Sequence, residues 1–162
     1  MVNMRKIEQM LTTAIFEVFE KMFYLSTEPL RKESECMVCH MKATIRFNGP
    51  VDGMMEVYLS RGVAEAMVGN MLNIEEEEIP HLITEDCIKE SLNMICGNFV
   101  RRLDADKVFQ LSIPTCAMIS ENPIIFGQTS DHEVGVIFAA EAGHVGVSLT
   151  ITEGHERFAF DG

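Results

Sequence analysis

One helix-like segment, Thr84 to Leu103, constrains the rest of the chain more than any other stretch. Its large apolar residues Ile88, Leu92, Ile95 and Phe99 are spaced by four, three and four, so they stack on one helical face. Asp86, Glu90, Asn93 and Gly97 repeat that spacing two positions earlier. Two residues are about 200° of helical rotation, so the second stripe lies opposite the first. Such a helix buries one side against a core and turns the other outward. The outward side carries a carboxylate and a carboxamide one turn apart, with a bare glycine one turn further on. That pattern suits gripping and positioning a group brought from outside. Thr84 is placed to cap the helix, and Glu85 and Asp86 sit where the helix dipole favours negative charge. Arg101 and Arg102 lie near the end that favours cations.

The other segments are punctuated by turn chemistry. Arg5 to Leu25 predicts a first helix with an apolar stripe of Ile7, Met10, Leu11, Ala14, Val18, Met22 and Leu25. Ile15, Phe16, Phe19 and Phe23 widen that stripe, which implies burial on more than one side, in a thick core or against another subunit. Ser26 to Ser34, with Pro29, is a polar break. A strand is expected from about Glu35 to Phe47 and another from Val51 to Leu59, joined by Asn48-Gly49-Pro50. Arg61 to Leu72 predicts a second helix, with Ser60 as its N-cap and Ala64, Met67, Val68 and Met71 inward. Glu75 to Glu78 is an acidic connector. Phe109 to Ile113 is expected to be a strand stopped by Pro114. Val134 to Ala140 and Val145 to Thr152 alternate and predict a hairpin across Gly143. Helices alternating with antiparallel strand pairs specify an α+β fold over a single domain, residues 1–162. Thr13, Glu17, Glu20 and Tyr24 in the first helix repeat the four-three-four spacing of Asp86, Glu90, Asn93 and Gly97, which suggests a duplicated helix-plus-strands unit.

Composition narrows the function. The net charge of −12 argues against nucleic acid, whose phosphates need a basic surface, and against anionic membrane surfaces. Glu8, Gln9, Thr12, Thr13 and Glu17 interrupt any secretory apolar run, and no apolar stretch is long enough to span a bilayer. The expectation is a cytoplasmic protein with reduced thiols, which five cysteines, an odd number, also favour. Cys36-Met-Val-Cys39-His40 has the form of a c-type haem attachment site. On a strand, however, Cys36 and Cys39 point to opposite faces, which suits neither a haem clamp nor a two-thiolate metal site. The five histidines show no spacing tied to chemistry, and no metal or cofactor site is expected in the chain.

The residues Asp86-x-x-x-Glu90-x-x-Asn93, then Gly97-Asn98, then Pro114 resemble the signature of the CheC/CheX/FliY family of bacterial chemotaxis phosphatases. The block Gly53 to Ser60 with Ala64 and Met67 fits as well, and the likeness runs from Ile7 to Thr152. The gap to Pro114 is slightly shorter than the family pattern. Glu20 stands in the first-helix copy where an asparagine would complete a second motif, so the chain looks CheX-like, with one working copy. The resemblance implies a CheC-like fold of two long helices on a largely antiparallel sheet. It also implies dephosphorylation of the aspartyl phosphate of a CheY-like response regulator, with Mg²⁺ carried by the partner. Asn93 would hydrogen-bond the attacking water, and Glu90 would pair with a lysine of the receiver domain. Asp86 and Gly97 would belong to the partner-binding face. The resemblance and the broad apolar first helix together imply a homodimer. A rival reading from the same family is a receiver-binding or flagellar-switch-like module without catalysis.

Chemistry supports Asn93 independently. An acyl phosphate is already activated, so catalysis can consist of placing a water in line with the leaving oxygen. A carboxamide accepts and donates hydrogen bonds without repelling the phosphoryl group. A carboxylate there would add negative charge, which makes Glu20 a poor substitute.

Overall fold

The computed structural model describes residues 3–30, 36–73, 81–119, 123–125 and 132–153. Three helices lie on one face of a seven-stranded antiparallel sheet. The elements run α1 (Met4–Phe23), β1 (Thr27–Leu30), β2 (Cys36–Val38), β3 (Met41–Asn48), β4 (Asp52–Leu59), α2 (Arg61–Leu72), α3 (His81–Leu103), β5 (Gln110–Leu111), β6 (Thr115–Met118), β7 (Pro123–Ile125), β8 (Glu133–Ala140) and β9 (Gly143–Glu153). The sheet order is β1-β8-β9-β4-β3-β5, with β6 also on β3, while β2 and β7 form a separate two-stranded ribbon.

Alternation along the strands decides which face the helices cover. Met41, Ala43, Ile45 and Phe47 of β3 are buried, as are Gly53, Met55, Val57 and Leu59 of β4. The register lines them up in rows: Ala43 beside Val57, Val57 beside Val147, and Val147 beside Val136. These rows and the apolar faces of α1, α2 and α3 form one core. Phe47 packs edge-on against Phe99 of α3 and Phe109. The opposite face carries Lys42, Thr44, Arg46, Glu56, Tyr58, Ser148 and Thr150, and an ion pair joins Lys42 to Glu56 at 2.6 Å.

The strand pairing accords with the suggested duplication. The hairpins β3–β4 and β8–β9 meet at the sheet centre through β4 and β9. β1, which follows α1, pairs with β8, and β5, which follows α3, pairs with β3. β2 pairs with β7. Each unit thus lends a strand to the other's hairpin, and α1 and α3 pack together over the centre.

Several boundaries differ from those expected. α3 begins at His81, so Thr84 lies inside the helix and does not cap it. The long strand from Glu35 is two strands, because Cys36–Val38 leaves the main sheet to pair with β7. Cys39 therefore joins Ile137, Tyr58 and Ile119 in a small cluster on the helix-free face, away from Met41. The polar break contains β1. Phe109 to Ile113 is a strand only at Gln110–Leu111, and β6 and β7 are additional. Met22 is 45% exposed, because Phe19 and Phe23 take the inward positions of that turn. α1 starts at the Asn3 cap, whose side chain accepts from the Arg5 and Lys6 amides. Ser60 precedes α2 as expected, but its Oγ accepts from the His144 amide at 3.0 Å instead of capping the helix. The acidic run lies outside the described residues. The hairpin is as expected, with Gly143 at φ 149°; a β-carbon there would collide with Ser60 Oγ.

Burial also sets the thiol chemistry. It pushes Cys96 up to about 12 and Cys39 and Cys116 up to about 11 from 9.0. Below pH 9 folded and unfolded thiols are both protonated. Above it the unfolded thiols ionise first, so this contribution to stability is lost as pH rises through 11 to 12. The urea midpoint should fall progressively above pH 9, and Cys96→Ala should flatten that fall; an unchanged slope would show that Cys96 plays no part.

Candidate functional site

α3 is wedged between α1, α2 and β3. Ile88, Leu92, Ile95 and Phe99 are all buried, at 2% exposure or less, with Cys96 beside them. Their burial fixes the rotation of the helix. Asp86 and Glu90 are consequently exposed, and Asn93 and Gly97 are half-buried on the same stripe. Neighbours three and four apart on a helix have β-carbons about 5–6 Å apart, so Glu90 and Asn93 stand side by side. No hydrogen bond or ion pair from the described residues engages the Asp86, Glu90 or Asn93 side chains. All four sequence-predicted residues therefore occur together on one outward face.

Gly97 separates two explanations for its lack of a side chain. Among the described residues, a β-carbon built there meets nothing within 4 Å outside the local helix backbone. Close packing against those residues is not the reason for glycine; what it leaves is a smooth, open strip of helix beside Asn93.

The equivalent stripe on α1 is arranged differently. Glu17, which corresponds to Glu90, is bound internally. Its carboxylate pairs with Arg102 at 2.6 Å and accepts from Asn98 Nδ2 at 3.3 Å, and Arg102 Nε donates to Asn98 Oδ1 at 2.9 Å. The hydrogen bonds from Arg102 and then Asn98 hold the Glu17 carboxyl below its ordinary range. Glu20 is exposed, and Tyr24, in the place of Gly97, is the left-handed residue ending the helix at φ 54°. The Asn98–Arg102 half of this clasp has an i, i+4 signal in the sequence; its Glu17 partner, 81 positions from Asn98, has none.

Among the described residues no group of three or more His, Cys, Asp or Glu could hold a metal ion, and no helix is long and apolar enough to cross a membrane. Cys39 and Cys116 sit in different surroundings, and the Cys36 side chain is outside the described set.

The sequence matches the family model described as chemotaxis phosphatase CheX over residues 41–138, more than half of the chain. The chain belongs to the CheX family. Solved structures place the CheX fold over nearly all of it. A chemotaxis protein CheX from Desulfovibrio desulfuricans is 20% identical with a TM-score of 0.71, covering 91% of this chain and 99% of that one. CheX from Vibrio vulnificus is 16% identical with a TM-score of 0.73, covering 90% and 96%. CheX in a CheX–CheY–BeF3–Mg²⁺ complex from Borrelia burgdorferi is 18% identical with a TM-score of 0.62, covering 90% and 97%. No curated protein matches the sequence.

Because the space over Gly97 is open, Gly97→Ala should stabilise this CheX-family protein by about 0.5–1 kcal/mol through helix propensity alone. A thermal melt that shows destabilisation would mean that the glycine serves internal packing after all.

Proposed function

We propose that this CheX-family protein dephosphorylates the aspartyl phosphate of a CheY-like receiver domain, docking it on the outward stripe of α3. The observation that carries this reading is the outward-facing pair of exposed Glu90 and half-buried Asn93 beside the open strip at Gly97, with no internal hydrogen bond from the described residues holding either side chain. Family membership supports the reaction, and the Borrelia burgdorferi CheX–CheY complex supports the partner.

The α3 helix would present Asn93 to the phosphoryl group as a rigid side chain. Its Oδ1 accepts from the hydrolytic water while Nδ2 donates nearby, which orients a lone pair along the line of attack. The amide stays neutral, so it adds no repulsion to the phosphoryl oxygens, and water is the nucleophile that breaks the bond to phosphorus. Glu90, one turn earlier, would pair with a receiver lysine and fix the register, with Asp86 adding to the same acidic end. Gly97 would let the receiver backbone approach α3 closely. Mg²⁺ on the receiver would offset phosphoryl charge; this chain would supply none of its ligands. Action in the cytoplasm, where receiver domains reside, follows from the same reading.

The second reading, a receiver-binding module without catalysis, predicts binding that is indifferent to Asn93. Turnover of phosphorylated receiver separates the two. Asn93→Ala should lower kcat about a hundredfold with little change in KM. Glu90→Ala should instead raise KM, by about three- to tenfold. Equal phosphate loss with wild type and Asn93→Ala, over the receiver's own decay, would refute the catalytic role.

Pairing of two copies belongs to the same proposal. The breadth of the α1 apolar face is used by α2, α3 and β8 within one chain. The support is therefore family membership. Sedimentation at micromolar concentration should give a dimer mass, and a monomer mass would reject it.

A further inference from the structure

We infer that the docking stripe of α3 continues past Gly97 into a cationic end that receives carboxylates of the receiver, with Arg101 as a specificity-determining contact. This inference rests on the proposed receiver docking and adds a second contact region to it. Arg101 lies four residues after Gly97, so it extends the stripe of Asp86, Glu90, Asn93 and Gly97 by one turn. It is exposed, and among the described residues it has no ion pair.

The neighbouring Arg102 faces a cleft between α1 and α3. The early turns of α1 lie beside the last turns of α3, because Lys6, Gln9, Met10 and Thr13 line a cleft of about 480 Å³ together with Arg102. Glu17 and Asn98 hold the Arg102 guanidinium in place, which orients its donors before any partner arrives. Lys6 and Arg102 thus meet at one end of a helix pair, with Glu17 paired to Arg102 and Arg101 next to it in sequence, in a chain of net charge −12. Asp86 and Glu90 occupy the other end of the same stripe.

The stripe is therefore polar along its length: carboxylates, then the carboxamide, then open backbone, then cations. Eight residues of helix separate Asn93 from Arg101, about 12 Å along the axis, while a small domain is about 30 Å across. A receiver centred on Asn93 must cover Arg101. Its matching surface carries a cation opposite Glu90 and carboxylates opposite Arg101 and the cleft. Docking in the reverse direction would set like charges together, so the polarity selects one orientation and rejects partners without the acidic group.

The test compares wild type, Arg101→Glu and Arg101→Lys in turnover of phosphorylated receiver and in direct binding to it, at low and high salt. Arg101→Glu should raise KM about three- to tenfold, leave kcat within about twofold, and reduce the salt dependence of kcat/KM. Arg101→Lys should behave as wild type in turnover and in thermal midpoint, whereas Arg101→Glu should melt slightly lower, because a carboxylate opposes the dipole at the end of α3. A receiver Asp→Lys or Glu→Lys change that restores KM for Arg101→Glu would name the partner carboxylate. Unchanged KM and salt dependence in Arg101→Glu, with Asn93→Ala inactive, would overturn this inference and leave the proposed reaction standing. A wild type that binds the receiver without turnover, with that binding weakened in Arg101→Glu, would do the reverse. Absence of both binding and turnover would overturn both.

Discussion

The burial of one side of α3 is the constraint on which the site depends. Ile88, Leu92, Ile95 and Phe99 must all leave water at once, against β3, α1 and α2. A buried aliphatic or aromatic side chain is worth about 1.5–3 kcal/mol, so a helix rotated by even one residue would forfeit several such terms. The orientation of Glu90 and Asn93 is therefore fixed by residues on the other side of the helix. A catalytic amide that works by positioning needs such a mount, because small displacements are expensive when orientation is the whole contribution.

The near-two-fold arrangement explains why one helix carries the site. α1 and α3 occupy equivalent places over a sheet whose hairpins exchange strands. Yet α1 turns left-handed at Tyr24, where α3 runs on through Gly97 for almost two further turns. That extension brings Asn98 and Arg102 to Glu17 and converts the α1 carboxylate from a surface group into a tie between helices. The same duplicated pattern thus yields a presenting helix and a supporting one. The supporting role also fixes the guanidinium that shapes the cationic end.

Much of this was legible in the chain. The two stripes of α3, the burial alternation of β3 and β4, and the β8–β9 hairpin follow from side-chain periods of 3.6 and 2, which local sequence records directly. The open environment of Gly97 and the clasp on Glu17 do not. Both depend on what another element places nearby, and no local period encodes that. The short strands β1, β6 and β7 escaped, and β2 was joined to β3, for a related reason. Two to four residues carry too little alternation to register, and such strands exist only because a partner's backbone supplies the hydrogen bonds.

Sequence alone determined that Asp86, Glu90, Asn93 and Gly97 share a face opposite a hydrophobic one, because helical geometry converts spacing into direction. It also determined the α+β class, through the alternation of two periodicities. Only the tertiary structure decided that this face stays uncovered by the rest of the described chain, that the matching face of α1 is tied down, and that the basic residues of two distant segments meet at one end. These are outcomes of packing between elements far apart in the chain, where burial of apolar area rather than local spacing chooses the neighbours.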